Sequence, residues 1–474
     1  MSTNLETKSK SAFEFYGKPE FSTALPLAIQ HILAMIIGNI TPALIVAGVA
    51  NGLAAERGVE SLGGDPTVLV QSALFIAGIA TLVQLFPITI IGSRLPVIMG
   101  VSFGYIPTLT AVGAQYGLPG ILGAQVVSAV VGIVVGLFIK RLRKYFPPIV
   151  AGTVVLSIGL SLYSTAVSYI GGGAALKGTP EFGSPKYLVV GGLTLVTVLL
   201  IGQFGKGMLK LSSILVGIAV GYIAALAFGM VDFAAIGQKG WFALPAVGQF
   251  KMEFHIPAII SMSIIFIVNS VQAVGDFSAT TMGGFNREVT DEELQGGIVG
   301  CNVSSMVGAF FGGLPIATYS QNVGMVCTTK VVSRFVFAMA GIIVLIAGFV
   351  PKFGALMTTI PQAVIGGATI GVFASITMSG IKLVIQEELS YRNTTIVGLA
   401  LALGMGITST PEILASYPDW VGMIFGSSPV VIATLVAFTL NIIIPQKSLA
   451  EEQRERDEME AEKNSAQLKE SLSS

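Results

Sequence analysis

Apolar stretches long enough to span or half-span a bilayer recur fourteen times in this chain of 474 residues. They fall near 26–49, 69–92, 95–114, 118–139, 147–170, 187–204, 211–230, 256–283, 296–313, 315–329, 333–350, 361–383, 394–409 and 428–445. In hydrocarbon every backbone N–H and C=O must be satisfied internally, which leaves helices or closed barrels. Runs of about 20 apolar residues without strict alternation select helices. The expectation is an all-α polytopic membrane protein. Hydrophobic residues make up 53% of the chain and charged residues 11%; a soluble domain carries about 25% charged residues. No basic stripe is present to hold nucleic acid, so no nucleic-acid partner is expected. The two cysteines, Cys301 and Cys327, lie in apolar stretches without metal spacing, and no cofactor or metal is expected.

Lysine and arginine placement sets an orientation. With the N-terminus cytoplasmic, twenty of the 26 basic residues fall in inside segments, and six, Arg57, Lys177, Lys186, Lys239, Lys251 and Lys352, fall outside. That bias predicts an even number of spans with both termini in the cytoplasm. The polar stretch before the first apolar run does not read as a cleavable signal peptide, so the first helix is expected to remain as an anchor. The chain is divided into a tail over 1–23, a first repeat over 24–230, an outer loop over 231–255, a second repeat over 256–446 and a charged, solvated tail over 447–474.

The repeat rests on Pro147-Pro148-Ile149-Val150-Ala151-Gly152 and Pro361-Gln362-Ala363-Val364-Ile365-Gly366, which share Pro-x-x-Val-x-Gly at an offset of 214 residues and seven segments. An odd segment offset gives copies of opposite topology. Segments three and ten, both interrupted, correspond at the same offset, and paired broken segments point to a transport site. Each opens with Leu-Pro (Leu95-Pro96 and Leu314-Pro315), passes through β-tolerant residues, and reaches a polar or aromatic cluster. Each is predicted as a short strand leading into a half-helix, with amides near Phe103 and Ser320 free for a ligand. Phe103 offers either packing or a stacking face.

Three groups of polar residues stand out in apolar surroundings. Gln321-Asn322 follows a helix break at Gly312-Gly313-Leu314-Pro315; its amides need partners, from a polar substrate or from a neighbouring helix. Asn269, Gln272, Asp276 and Thr280 form one stripe on segment eight. Asp276 is the only carboxylate set deep in an apolar span, where a charge costs roughly 2.5–3.5 kcal/mol. His31 lies one turn into segment one beside Gln30, either as a satisfied core residue or as a proton carrier.

Gln321-Asn322-Val323-Gly324, continued to Thr329-Lys330, resembles the signature Gln-Asn-x-Gly-x-x-x-x-Thr-Lys of the nucleobase–ascorbate transporters, or nucleobase:cation symporter family 2. Gln30-His31 with Met35, and Gly275-Asp276 with Ala279-Thr280, resemble two further motifs of that family. The resemblance implies fourteen transmembrane segments in two inverted seven-segment repeats. Segments 1–4 and 8–11 would form a core domain, and 5–7 and 12–14 a gate. It implies substrate binding between segments three and ten, against helix eight. Gln321 would grip a base by its side chain and Ser320 by its backbone, with Phe103 against the ring. Asn322 would shape the site, and Ser102 would influence which purine fits. Gln-Asn, where uracil permeases usually carry Glu-Asn, implies an oxopurine such as xanthine or uric acid. Two departures are visible: the family's helix-eight Glu is Gln272, and its segment-nine Asp is replaced around Cys301-Asn302. Proton coupling would fall to Asp276 with His31, leaving Gln272 as a neutral substrate ligand. The expected protein is a secondary-active purine permease of the cell membrane, a homodimer, working by an elevator-like shift. The alternatives are a uracil permease, an uncoupled facilitator, or an anion transporter of sulfate-permease architecture. The last usually carries a folded cytoplasmic domain after the final span, which the short tail after Pro445 cannot form.

Overall fold

The computed structural model describes residues 13–142, 145–173, 176–446, 448–455, 457–459 and 461. In chain order the main elements are α1 (Phe21–Arg57), α2 (Pro66–Leu85), β1 (Met99–Val101), α3 (Ile106–Leu137), α4 (Pro148–Ile170), α5 (Pro185–Phe204), α6 (Ser213–Ala227), α7 (Ile256–Phe285) and α8 (Asp291–Phe310). There follow β2 (Ile316–Thr318), α9 (Ser320–Thr329), α10 (Arg334–Ala347), α11 (Pro351–Thr358), α12 (Gln362–Val384), α13 (Tyr391–Ser409) and α14 (Pro429–Ile443).

Each of the fourteen apolar stretches thus lies in a helix or a strand–helix unit. Among the described residues seven helices are long and apolar enough to cross a bilayer alone, or eight if the pair α10–α11, bent by 80°, counts as one span. The rest fall short for visible reasons. α6 and α14 have 15 residues each, and α8 opens with Asp291, Glu292 and Glu293. That acidic start is a helix device: Thr290 Oγ1 accepts from Glu293 N at 3.2 Å, and Glu293 Oε2 accepts from Thr290 N at 2.9 Å, a capping box.

Proline and glycine set the interruptions. α2 ends at Leu85, short of the expected 92, because Pro87 disfavours helical geometry for the residue before it. α3 is two helices broken at Gly117, whose φ of 65° and ψ of −166° suit glycine. The break falls between the third and fourth apolar stretches.

The tail differs from the solvated end expected. Residues 449–455 are helical, and Glu452, buried, accepts from the Tyr391 and Arg392 amides at 2.8 and 3.2 Å. A carboxylate there satisfies orphan N–H groups and complements the dipole of α13. Lys447 and residues 462–474 of that tail, with Lys8 and Lys10 of the N-terminal one, lie outside the described residues.

Candidate functional site

The two broken segments meet. β1 and β2 pair antiparallel, Met99 with Thr318, Gly100 with Ala317 and Val101 with Ile316. Ser102 N donates to Pro315 O at 3.3 Å, and Tyr319 N to Ile98 O at 3.0 Å, extending the ladder at both ends. Two strands leave two free edges, which lipid would not tolerate. Side chains fill them: Asn39 Oδ1 accepts from Val101 N at 2.6 Å and Thr81 Oγ1 from Met99 N at 3.0 Å. On the other edge Ser305 Oγ accepts from Ile316 N at 3.1 Å, and Cys301 Sγ donates to Ile316 O at 3.1 Å. So the Cys301 and Asn302 region, which replaces the Asp of the resembled family, is spent on structure. Asn302 Nδ2 donates to Ile298 O at 2.8 Å.

Each strand runs directly into a helix start. After β1, Ser102 Oγ accepts from Gly104 N at 3.1 Å and caps the single turn Phe103–Tyr105 that opens α3. After β2, Ser320 and Gln321 begin α9. First-turn N–H groups have no intrahelical acceptor, and they carry the positive end of the helix dipole. Antiparallel pairing points the two half-helices in opposite directions away from one central ladder.

Beside the ladder lies a cleft of about 210 Å³. One side presents Ser102, Phe103, Gln272, Thr318, Ser320 and Gln321; the other presents Val155 and Ile158 of α4 and Ser375, Ile376 and Ser379 of α12. Ser320 and Gln321 are exposed to it. Phe103 is 6% exposed, with its ring edge-on to Phe373, centroids 5.1 Å apart.

Asp276 lies behind this surface. Its Oδ2 accepts from Thr318 Oγ1 at 2.5 Å and its Oδ1 from Ser320 Oγ at 2.8 Å. The carboxylate therefore joins α7 to the strand and half-helix that line the cleft. The rest of the polar stripe divides its work: Asn269 Nδ2 donates to Tyr105 Oη at 2.9 Å, Gln272 faces the cleft, and Thr280 Oγ1 donates back to Asp276 O at 2.8 Å.

Gln272, Phe103, Ser102, Ser320 and Gln321 are thus brought together around one space, with Asp276 in contact with it through hydroxyls. Asn322 and His31 are not in that group. Asn322, 1% exposed, turns to the opposite face of α9, where its Nδ2 donates to His31 O at 2.9 Å and lies 3.0 Å from His31 Nδ1. The His31 ring packs on Phe337 at 4.3 Å. The pair ties α1 to α9 and does not touch the cleft. Thr318, and the hydroxyls of Ser375 and Ser379, were missed. The last two sit at i and i+4 on an apolar helix, a polar spacing that could have drawn attention to them.

Gly100 shows how tightly the ladder is packed. A Cβ there would lie 2.6 Å from Tyr319 Cε2 and 2.9 Å from Asn39 Oδ1. Tyr319 cannot swing away cheaply, since its Oη donates to Val101 O at 2.8 Å. Gly100→Ala should cost roughly 1–3 kcal/mol, the usual range for overpacking. The check is the melting temperature of the detergent-solubilised protein, and an unchanged value would contradict this packing.

The family model described as Permease family (Xan_ur_permease) matches residues 22–413. Xanthine permease XanQ of Escherichia coli (strain K12) is 34% identical over 446 residues, covering 91% of this chain and 93% of that protein. Uric acid permease PucK of Bacillus subtilis (strain 168) is 34% identical over 423 residues, covering 89% and 95%. Among solved structures, the transmembrane domain of the cyanobacterial bicarbonate transporter BicA matches with a TM-score of 0.53 at 15% identity, over 87% of this chain and 97% of that one. At that identity the likeness is one of fold. The chain is a multi-pass membrane transporter and not an enzyme, and it belongs to the Permease family, the nucleobase–ascorbate transporters.

Proposed function

We propose that the protein is a secondary-active permease for an oxopurine nucleobase of the xanthine or uric acid type. The observation that carries this reading is the pair of amide side chains, Gln272 and Gln321, on one wall of the cleft beside the open N-terminus of α9. An amide can accept from a ring N–H while donating to the adjacent carbonyl, and oxopurines present that pairing more than once. The first-turn N–H groups of Ser320 and Gln321 add donors for a second carbonyl. Phe103 covers the flat apolar face, with Ser102 at the ring's edge. Asn322 and His31 support the site from behind by fixing α9 against α1.

Asp276 is the proton carrier in this reading. Among the described residues it is the only carboxylate bonded to the cleft-lining hydroxyls, so a change in its charge is felt directly by Thr318 and Ser320. Gln272 serves as a neutral ligand. Helices α1–α3 and α7–α11 with the two strands form the moving core, and α4–α6 with α12–α14 the gate. The core slides against the gate like an elevator, and the working unit is a homodimer. Arginine and lysine placement supports a cell-membrane protein with both termini in the cytoplasm. The cleft then opens toward the cytoplasm, since Ser379 lies in the half of α12 nearer Val384.

A panel of radiolabelled purines and pyrimidines, taken up by expressing cells with and without a protonophore, tests the reading. Xanthine or uric acid should compete better than uracil, and the protonophore should abolish accumulation. Preference for uracil would overturn the substrate class.

A further inference from the structure

Helices α4 and α12 are two copies of one unit. Each has 23 residues, Pro148–Ile170 and Gln362–Val384, at the 214-residue offset of the repeat. They also pack as equivalents. Tyr163 Oη donates to Thr377 Oγ1 at 2.7 Å, a bond between corresponding positions of the two copies. A Cβ on Gly152 would lie 2.7 Å from Val384 N, and one on Gly366 would lie 2.5 Å from Ile170 N. That is one contact made twice, so a pseudo-two-fold axis passes beside Tyr163 and Thr377.

The axis maps the wall of the cleft onto a second set of residues. Ser375, Ile376 and Ser379 of α12 correspond to Ser161, Leu162 and Thr165 of α4, and the order hydroxyl, aliphatic, hydroxyl is kept. Val155 and Ile158 correspond to Thr369 and Val372. The α12 triplet is the more open: Ser375 and Ser379 are exposed and Ile376 is half-buried, whereas Ser161 and Thr165 are half-buried and Leu162 is shut at 1% exposure. The apolar pairs do not differ, Val155 and Ile158 being as buried as Thr369 and Val372. Beyond Leu162, on the face that carries Glu56 at the end of α1, lies another cavity of about 780 Å³ that includes Thr165, Tyr169 and Gln362. Gln362 Oε1 is buried there without a hydrogen-bond partner.

We infer that Ser161, Leu162 and Thr165 form the gate-side wall of the substrate site in the outward-facing state, replacing Ser375, Ile376 and Ser379. The inference rests on the permease reading and adds residues that do not touch the site in this conformation. Both triplets straddle the crossing point, so exchanging one wall for the other needs a core displacement of only a few residues' rise, on the order of 7 Å at 1.5 Å per residue. The hydroxyls are retained because a polar substrate meets a gate wall in either state, and each wall must replace the water it displaces. Gln362 and Tyr169 line the way in from outside.

Single cysteines read this directly. Leu162→Cys, inaccessible here, should react with a membrane-impermeant methanethiosulfonate reagent added outside intact cells, at least about fivefold faster than the unsubstituted protein. Saturating external xanthine should slow that reaction severalfold. Ser161→Cys, nearly isosteric, provides the same measurement if Leu162→Cys does not reach the membrane. Ile376→Cys should react from the cytoplasmic side in inside-out vesicles. No external reaction at either Leu162→Cys or Ser161→Cys in a protein that still transports overturns the inference. So does external reaction that xanthine leaves unchanged in cells that take up xanthine. Labelling does not itself require a purine substrate. Side-selective reaction without any purine uptake would therefore uphold the wall and reject the purine reading.

Discussion

Replacing Gln321 by alanine is expected to abolish saturable purine uptake while the protein still reaches the membrane. Gln321 is exposed in the first turn of α9 and lines the cleft, so its amide is free for a ligand. Truncation removes a donor and an acceptor together. Each partner left unpaired in a desolvated site costs roughly 1–3 kcal/mol, so a pair implies a loss on the order of 100-fold or more in affinity. The backbone of α9 and the Asn322–His31 contact do not depend on this side chain, and folding should survive. The check is uptake kinetics alongside surface expression. Wild-type kinetics in the variant would remove Gln321 from the substrate site.

A comparable effect is expected from Asp276→Asn, with a different signature. Asparagine keeps the size and one carbonyl acceptor. The hydroxyls of Thr318 and Ser320 can rotate to meet the new NH₂ group, so the wall should stay in place. What is lost is the exchangeable proton. Concentrative uptake, which for proton symport rises as the external pH falls, should disappear in this variant. Equilibrium counterflow should persist in part. Uptake measured across external pH with and without a protonophore separates these outcomes. A wild-type protein indifferent to both would exclude proton coupling, and an Asp276→Asn protein that still concentrates substrate would exclude Asp276 as the carrier. Asp276→Ala, by contrast, strands two hydroxyls and should also lose stability.

Much of this fold was legible because the bilayer restricts the choices. The length of an apolar run specifies a helix whatever its neighbours are, so α7 and α12 lie within two residues of the expected bounds. Leu-Pro followed by β-tolerant residues gave β1 and β2, since proline disfavours the helix interior and the residues after it favour extension. The polar stripe on α7 exposed Asp276 and Gln272 for the same reason: polarity is costly at that depth.

The remaining details depended on how distant pieces meet. Successive helical residues point about 100° apart, so Gln321 can face the cleft while Asn322 faces α1. Adjacency in the signature hides that division. The resemblance joined His31 to Asp276 in proton coupling, but the structure gives it Asn322 and Phe337 as neighbours. Ser375 and Ser379 gain meaning only when α12 is laid against the ladder. Glu452 sits in a run of charges that reads as solvated, and its role as a cap needs α13 to be close by.

In the proposed function this chain alone carries an oxopurine through the cleft between the strand ladder and helices α4 and α12. The most direct measurement is counterflow in proteoliposomes containing only the purified protein, preloaded with unlabelled xanthine and given labelled xanthine outside. The expected result is saturable transient accumulation of label that Gln321→Ala eliminates and that preloaded bicarbonate does not support. Equal counterflow with bicarbonate, or xanthine counterflow unaffected by Gln321→Ala, would contradict it.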